Sequence, residues 1–136
     1  MPEAAVTVLP TVMVVDADVL VRHALSEYLR GCGYRVIEAS STDEAQNFFA
    51  LGEIDVGAVL CDMKAPGRLG GFSFARWMRE THPKTDVILA GAPERAAEEA
   101  AELCENGPQL ARPYDPQLVL ERIKRQHAAR ARLLQE

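Results

Sequence analysis

Apolar residues gather in five short runs, at 11–15, 34–38, 56–61, 87–90 and, more weakly, 109–111. Three of these runs are near-continuous Val, Ile and Leu rather than an alternation, the pattern of strands buried on both faces in a parallel sheet. Helical spacing fills the intervals. Val21, Leu25, Tyr28, Leu29 and Cys32 recur on one helix face, and Gly31 and Gly33 stop that helix. Ser41 with Glu44 reads as a capping box that opens a second helix carrying Ala45, Phe48 and Phe49 and ending near Gly52. A third helix carries Phe74, Trp77 and Met78 and must end before Pro83. Pro93 suits the first turn of a fourth, Ala/Glu-rich helix ending near Gly107. Asp115-Pro116 reads as the N-cap and first position of a fifth. The alternation predicts an α/β, doubly wound (βα)5 fold. Its parallel five-stranded sheet has right-handed crossovers and strand order 2-1-3-4-5.

Length and composition narrow the function classes. The 136 residues suit one domain, expected over 11–126, with an N-terminal extension over 1–10 and an extension of the last helix over 127–136. An apolar content of 48% excludes a disordered chain, and a net charge of −5 argues against nucleic acid as partner. The apolar runs are too short to span a membrane, and Met1-Pro2-Glu3 lacks the basic start of a signal peptide, so a cytoplasmic protein is expected. Cys32, Cys61 and Cys104 lack metal-type spacing and read as reduced core residues. His23, His82 and His127 share no motif, and His23 is expected to face solvent. No base is visibly paired with Cys61 for hydrolase chemistry, and no glycine-rich nucleotide loop is present; an enzyme is not expected.

Sheets of this kind open their cleft at the carboxyl ends of the strands. The residues there are Asp16 to Asp18, Asp62 to Gly67, Gly91-Ala92 and Arg112-Pro113. A carboxylate following a fully apolar strand, as Asp62 does, is costly unless something pairs with it. Asp16 and Asp18 follow the neighbouring first strand, so these carboxylates should converge. Such a cluster either shares protons at raised pKa or holds a hard cation such as Mg²⁺. Asp18 also reads as the N-cap of the first helix.

Three segments carry a family resemblance. Val14-Val15-Asp16, Asp62-Met63-Lys64-Ala65-Pro66-Gly67 and Arg112-Pro113-Tyr114-Asp115-Pro116 resemble the landmarks of response regulator receiver domains, over roughly residues 11–125. The resemblance implies the flavodoxin-like receiver fold. It implies that Asp62 takes a phosphoryl group from a histidine kinase or a histidine phosphotransfer protein. It implies Mg²⁺ held by Asp16, Asp62 and the backbone carbonyl of Lys64, and Arg112 in contact with the phosphoryl oxygens; Asp18, which can share a face with Asp16 in extended chain, is an open alternative as a substitute ligand.

The chain also departs from that pattern. Ala17 stands where a second acidic ligand is usual, and a methyl group cannot bind a hard cation, so weak Mg²⁺ binding is expected. Gly91 replaces the usual hydroxyl, Gln109 the usual aromatic switch residue, and Arg112 the usual lysine. The loop 67–71 is one residue longer than usual, and its three glycines give it backbone freedom.

The leading expectation is a stand-alone, single-domain response regulator. No output domain follows residue 136, so it would signal through protein contacts, including a homodimer through the basic last helix (Arg122, Lys124, Arg125, Arg130, Arg132). The alternative is a pseudo-receiver, a binding or dimerisation module independent of phosphorylation. A small flavodoxin-like electron carrier would need a phosphate-cradling loop that the sequence lacks.

Overall fold

The computed structural model describes residues 10–107 and 116–134, with 116–120 as backbone alone. The elements alternate as expected: β1 (Thr11–Val15), α1 (Val19–Gly31), β2 (Arg35–Ala39), α2 (Thr42–Leu51), β3 (Ala58–Asp62), α3 (Gly71–Thr81), β4 (Asp86–Ala90), α4 (Pro93–Glu105) and α5 (Pro116–Leu134). The described strands form one parallel sheet of order β2-β1-β3-β4, the first four places of the expected order. The fifth run, at 109–111, lies outside the described residues. β1 and β3 hold the centre of the sheet and are buried along nearly their whole length, which is why they read as unbroken apolar runs. β2 and β4, at the two ends of the described sheet, are only half-buried.

Helix boundaries follow local signals. Asp18 caps α1, and Pro93 opens α4. Ser41 Oγ accepts from the Glu44 amide at 3.1 Å, while the Glu44 carboxylate reaches back to the amide and hydroxyl of Ser40 rather than to Ser41. Gly52 ends α2 at φ 63°, a left-handed conformation that glycine adopts without penalty. None of the described helices is long and apolar enough to cross a membrane.

Alternate strand residues divide the interior in two. Val12, Val14, Leu60 and Ala90 face a layer built from α1, α4 and α5, in which Leu25, Leu29 and Ile123 are fully buried. Met13, Val15, Val59 and Cys61 face α2 and α3, where Phe49, Phe74 and Met78 pack. Trp77 belongs to this second layer, with its ring 6.2 Å from Phe74 and 5.5 Å from His82. Leu118 and Val119 are among the residues whose side chains are not described.

The seat of α4 is unexpected. A right-handed crossover leaving β4 for a strand beyond it would carry α4 over the α2–α3 face. Instead α4 packs beside α1, with Ala96, Ala100 and Cys104 in the α1 layer. Cys32, the C-cap of α1, and Cys104, in the last turn of α4, are joined by a disulfide across a Cα separation of 5.4 Å. This corrects the expectation of three reduced cysteines: Cys61 is the free one, and it is buried. Motif spacing examines cysteines close in sequence, whereas these two lie 72 positions apart and meet because α1 and α4 end side by side.

Candidate functional site

Sheet register assembles the site. Val15 pairs with Cys61, so Asp16 and Asp62 leave adjacent strands at the same edge. Asp62 pairs with Ala90, and the Met63 amide donates to the Ala90 carbonyl at 3.0 Å, so Gly91 comes next to the same place. A recess of about 170 Å³ opens there. Asp16, Asp18, Asp62 and Lys64 supply its polar lining, and Val14, Leu25, Leu60 and Ala96 much of its apolar lining.

Asp16 is held from several sides. Its amide donates to the Ala39 carbonyl at 3.0 Å, and its carbonyl accepts from Arg22 Nη1 at 2.9 Å. Arg22 is fixed in turn by Glu38 of β2 at 3.1 Å. Asp16 Oδ1 accepts from the Asp18 amide at 2.9 Å. Asp18 is engaged at both oxygens. Oδ1 accepts from the amides of Leu20 at 2.9 Å and Val21 at 3.4 Å, and Oδ2 pairs with His127 of α5 at 2.8 Å. Asp18 therefore serves as the helix cap that the sequence allowed, and its carboxylate is turned to α1 and α5. Ala17 between them is exposed and offers no side-chain donor. Asp62 Oδ1 accepts from the Lys64 amide at 3.1 Å, and its carbonyl accepts from Ala65, which starts a tight turn.

Crowded carboxylates at a half-buried edge change their acidity. Burial is the largest influence on Asp16. The Asp18 amide opposes it, the negative charges of Asp62 and Asp18 add to it, and the carboxyl is pushed up to about 6. For Asp18 burial also pushes up, but the amides of Leu20 and Val21 and the His127 ring outweigh it and hold the carboxyl below its usual range. Burial, then the charges of Asp62 and Asp16, pushes the Cys61 thiol up to about 12, so it stays protonated and is no nucleophile.

Asp16 makes a pH-dependent contribution of defined sign. Its folded pKa is raised above the unfolded value of 3.8, so its stabilising contribution is full below that value and is lost as pH rises through about 6. Asp16→Asn should therefore raise the urea midpoint of the metal-free protein at neutral pH and leave it nearly unchanged near pH 4. An equal shift at both pH values would locate the effect in packing rather than in charge.

The loop after Asp62 is docked, despite its glycines. Thr42, fully buried, donates its hydroxyl to the carbonyls of Leu69 at 2.7 Å and Pro66 at 3.2 Å. The Arg68 amide donates to Asp43 at 3.2 Å. Gly67 sits at φ 139°, and a Cβ there would lie 2.0 Å from Thr42 Oγ1. A Cβ on Gly71 would lie 2.7 Å from the Met63 carbonyl oxygen. Gly91 differs: it is exposed, and its Cβ would meet only Met63 Sδ, at 3.4 Å, so nothing steric demands glycine there. Arg112 and Gln109 lie outside the described residues.

The structure thus brings together Asp16, Asp62, Lys64 and Gly91, with Asp18 beside them but occupied. Sequence reasoning missed Arg22, Thr42 and His127. Arg22 had a signal, a cation one turn into a helix that follows two carboxylates. His127, 109 positions from Asp18, had none. Among the described residues no group of three or more His, Cys, Asp or Glu side chains is arranged to hold a metal. Asp16 and Asp62 are hard oxygen donors on neighbouring strand ends, and that pair fits a Mg²⁺ that keeps most of its water.

Comparison with known proteins gives the family. The model of the response regulator receiver domain matches residues 12–124. Aerobic respiration control protein ArcA of Escherichia coli K12 is 32% identical over 82 residues, which are 60% of this chain and 33% of that protein. The chain thus spans about a third of the length of the curated relatives it matches. Among solved structures, the signal receiver domain of an HD domain-containing protein from Pseudomonas fluorescens Pf-5 aligns with a TM-score of 0.59 at 23% identity, covering 97% of this chain and 99% of that one. Chemotaxis response regulator CheY4 of Vibrio cholerae aligns with a TM-score of 0.55 at 21% identity, covering 87% and 98%. At such identities the structures speak to the fold, and the match over residues 12–124 speaks to descent: the chain belongs to the response regulator receiver domain family.

Proposed function

We propose that Asp62 accepts a phosphoryl group from a histidine kinase or a histidine phosphotransfer protein, and that the chain passes the signal on through protein contacts. The observation that carries this reading is the register placing Asp62 at the open end of a buried strand, beside Asp16 and opposite Ala90-Gly91. A carboxylate oxygen of Asp62 attacks phosphorus, the bond from phosphorus to the donor's imidazole nitrogen breaks, and that nitrogen leaves with its electron pair. The product is an acyl phosphate. The Lys64 amide keeps one Asp62 oxygen oriented, leaving the other to react. Asp16, Asp62 and the Lys64 carbonyl would hold Mg²⁺, which neutralises charge on the transferring group. Arg112 is the cation proposed to contact the phosphoryl oxygens. The protein acts here as acceptor rather than as enzyme, in the cytoplasm, and the net charge of −5 disfavours nucleic acid as partner. The exposed Leu133 and Leu134 on the basic last helix support a homodimer contact there.

The test is intact mass after incubation with Mg²⁺ and acetyl phosphate or a cognate kinase. The wild-type chain should gain one phosphoryl group, and Asp62→Asn should gain none. The pseudo-receiver reading is favoured by Ala17, by Gly91 and by the full engagement of Asp18. It becomes the better one if wild type gains nothing with either donor.

Ala17→Asp should tighten Mg²⁺ binding by about tenfold or more, measured by titration calorimetry, because it supplies a carboxylate where Asp18 is turned away. Unchanged affinity would mean that Asp18 leaves His127 and already serves the metal.

A further inference from the structure

We propose that Cys32 and Cys104 form a redox site whose oxidation holds α4 against α1 and so fixes one wall of the Asp62 recess. The proposal goes beyond the receiver reading, and its test does not require Asp62 to be phosphorylated.

The bond lies at one end of α4 and the recess at the other. Cys104 occupies the last turn, while Ala92, Pro93 and Ala96 at the first turn line the recess together with Asp16 and Asp62. Besides Cys104, α4 sets Ala96, Ala100 and the partly buried Leu103 into that layer, and the alanines among them bury little apolar area per turn. The Tyr34 hydroxyl donates to the Leu103 carbonyl at 2.5 Å, again at the disulfide end. The seat is also not the one that a right-handed crossover from β4 would select. The covalent bond is therefore the strongest single tie holding α4 where it lies.

The chemistry is self-contained. A dithiol reductant supplies two electrons and two protons, the bond between the two sulfurs breaks, two thiols form, and the reductant becomes a disulfide. Both sulfurs are fully buried, so exchange proceeds when the last turn of α4 opens, and helix ends fray readily. Cys61 does not compete for either partner, being buried in the opposite layer with a thiol that stays protonated. In a reducing compartment a bond of this kind is characteristically a redox sensor rather than a permanent staple.

The experiment poises the full chain between oxidised and reduced dithiothreitol, then reads thiol number by maleimide mass tagging after denaturation and α4 mobility by amide exchange over residues 93–105. One tagged thiol is expected in the oxidised protein and three in the reduced protein, matching the disulfide pair and the single free cysteine. The α4 amides should exchange about tenfold or more faster after reduction. Cys104→Ala should exchange like the reduced protein and ignore dithiothreitol, whereas Cys61→Ala should respond as wild type does. Three tagged thiols under native oxidising conditions would overturn the proposal. So would α4 exchange that is equal in the two redox states. Failure of Asp62 to take a phosphoryl group would overturn the phosphoacceptor reading alone, since neither thiol number nor amide exchange depends on it.

Discussion

Replacing Cys32 and Cys104 together by alanine should lower the unfolding free energy by about 4 kcal/mol, read from urea unfolding without reductant. The magnitude follows from chain entropy. A bond between positions 72 apart denies the unfolded chain a large set of conformations, and the deficit grows with the logarithm of the loop. The alanines also leave small voids in a fully buried site, which adds to the loss. Either single variant should cost nearly as much as the double, because one bond is lost in each case and the effects of contacting residues do not add. A loss below about 1 kcal/mol would mean that the bond does not constrain the unfolded chain in solution.

Gly67→Ala should cost about 3 kcal/mol by the same measurement. At φ 139° an L side chain is strained whatever space surrounds it, and here the space is filled by Thr42 Oγ1. That hydroxyl cannot retreat without dropping the Leu69 and Pro66 carbonyls it serves. Gly70 is the control. Its φ is −72° and nothing would lie within 4 Å of its Cβ, so Gly70→Ala should change stability by less than about 1 kcal/mol. A neutral Gly67→Ala would mean that the loop is not docked on α2.

Much of this architecture is legible in the chain because local signals and burial agree. The unbroken apolar runs of β1 and β3 state that both faces are covered, and Asp18, Ser41, Gly52 and Pro93 mark helix ends by their own chemistry. The place of Asp62 follows from the same signals, since a carboxylate after a buried strand has one edge to go to. What could not be read is which partner each helix meets. The alanine stripe of α4 declares a buried face but would fit either side of the sheet, so neither its seat beside α1 nor the Cys32–Cys104 bond was visible. The fate of Asp18 depended on His127, a contact between distant chain positions with no periodicity to betray it. The glycine-rich loop was read as freedom because glycine's permissiveness is local, while the hydroxyl of Thr42 that fixes it comes from another element.

The division of the interior into two layers also divides the chromophores. The single tryptophan, Trp77, sits with Phe74 and His82 on the α2–α3 side, whereas Tyr28 and Tyr34 are buried on the side of α1 and α4. Tryptophan emission therefore views the face opposite the one that holds these two tyrosines. An event confined to α4 would leave the tryptophan spectrum still, which makes Trp77 an internal reference without any label.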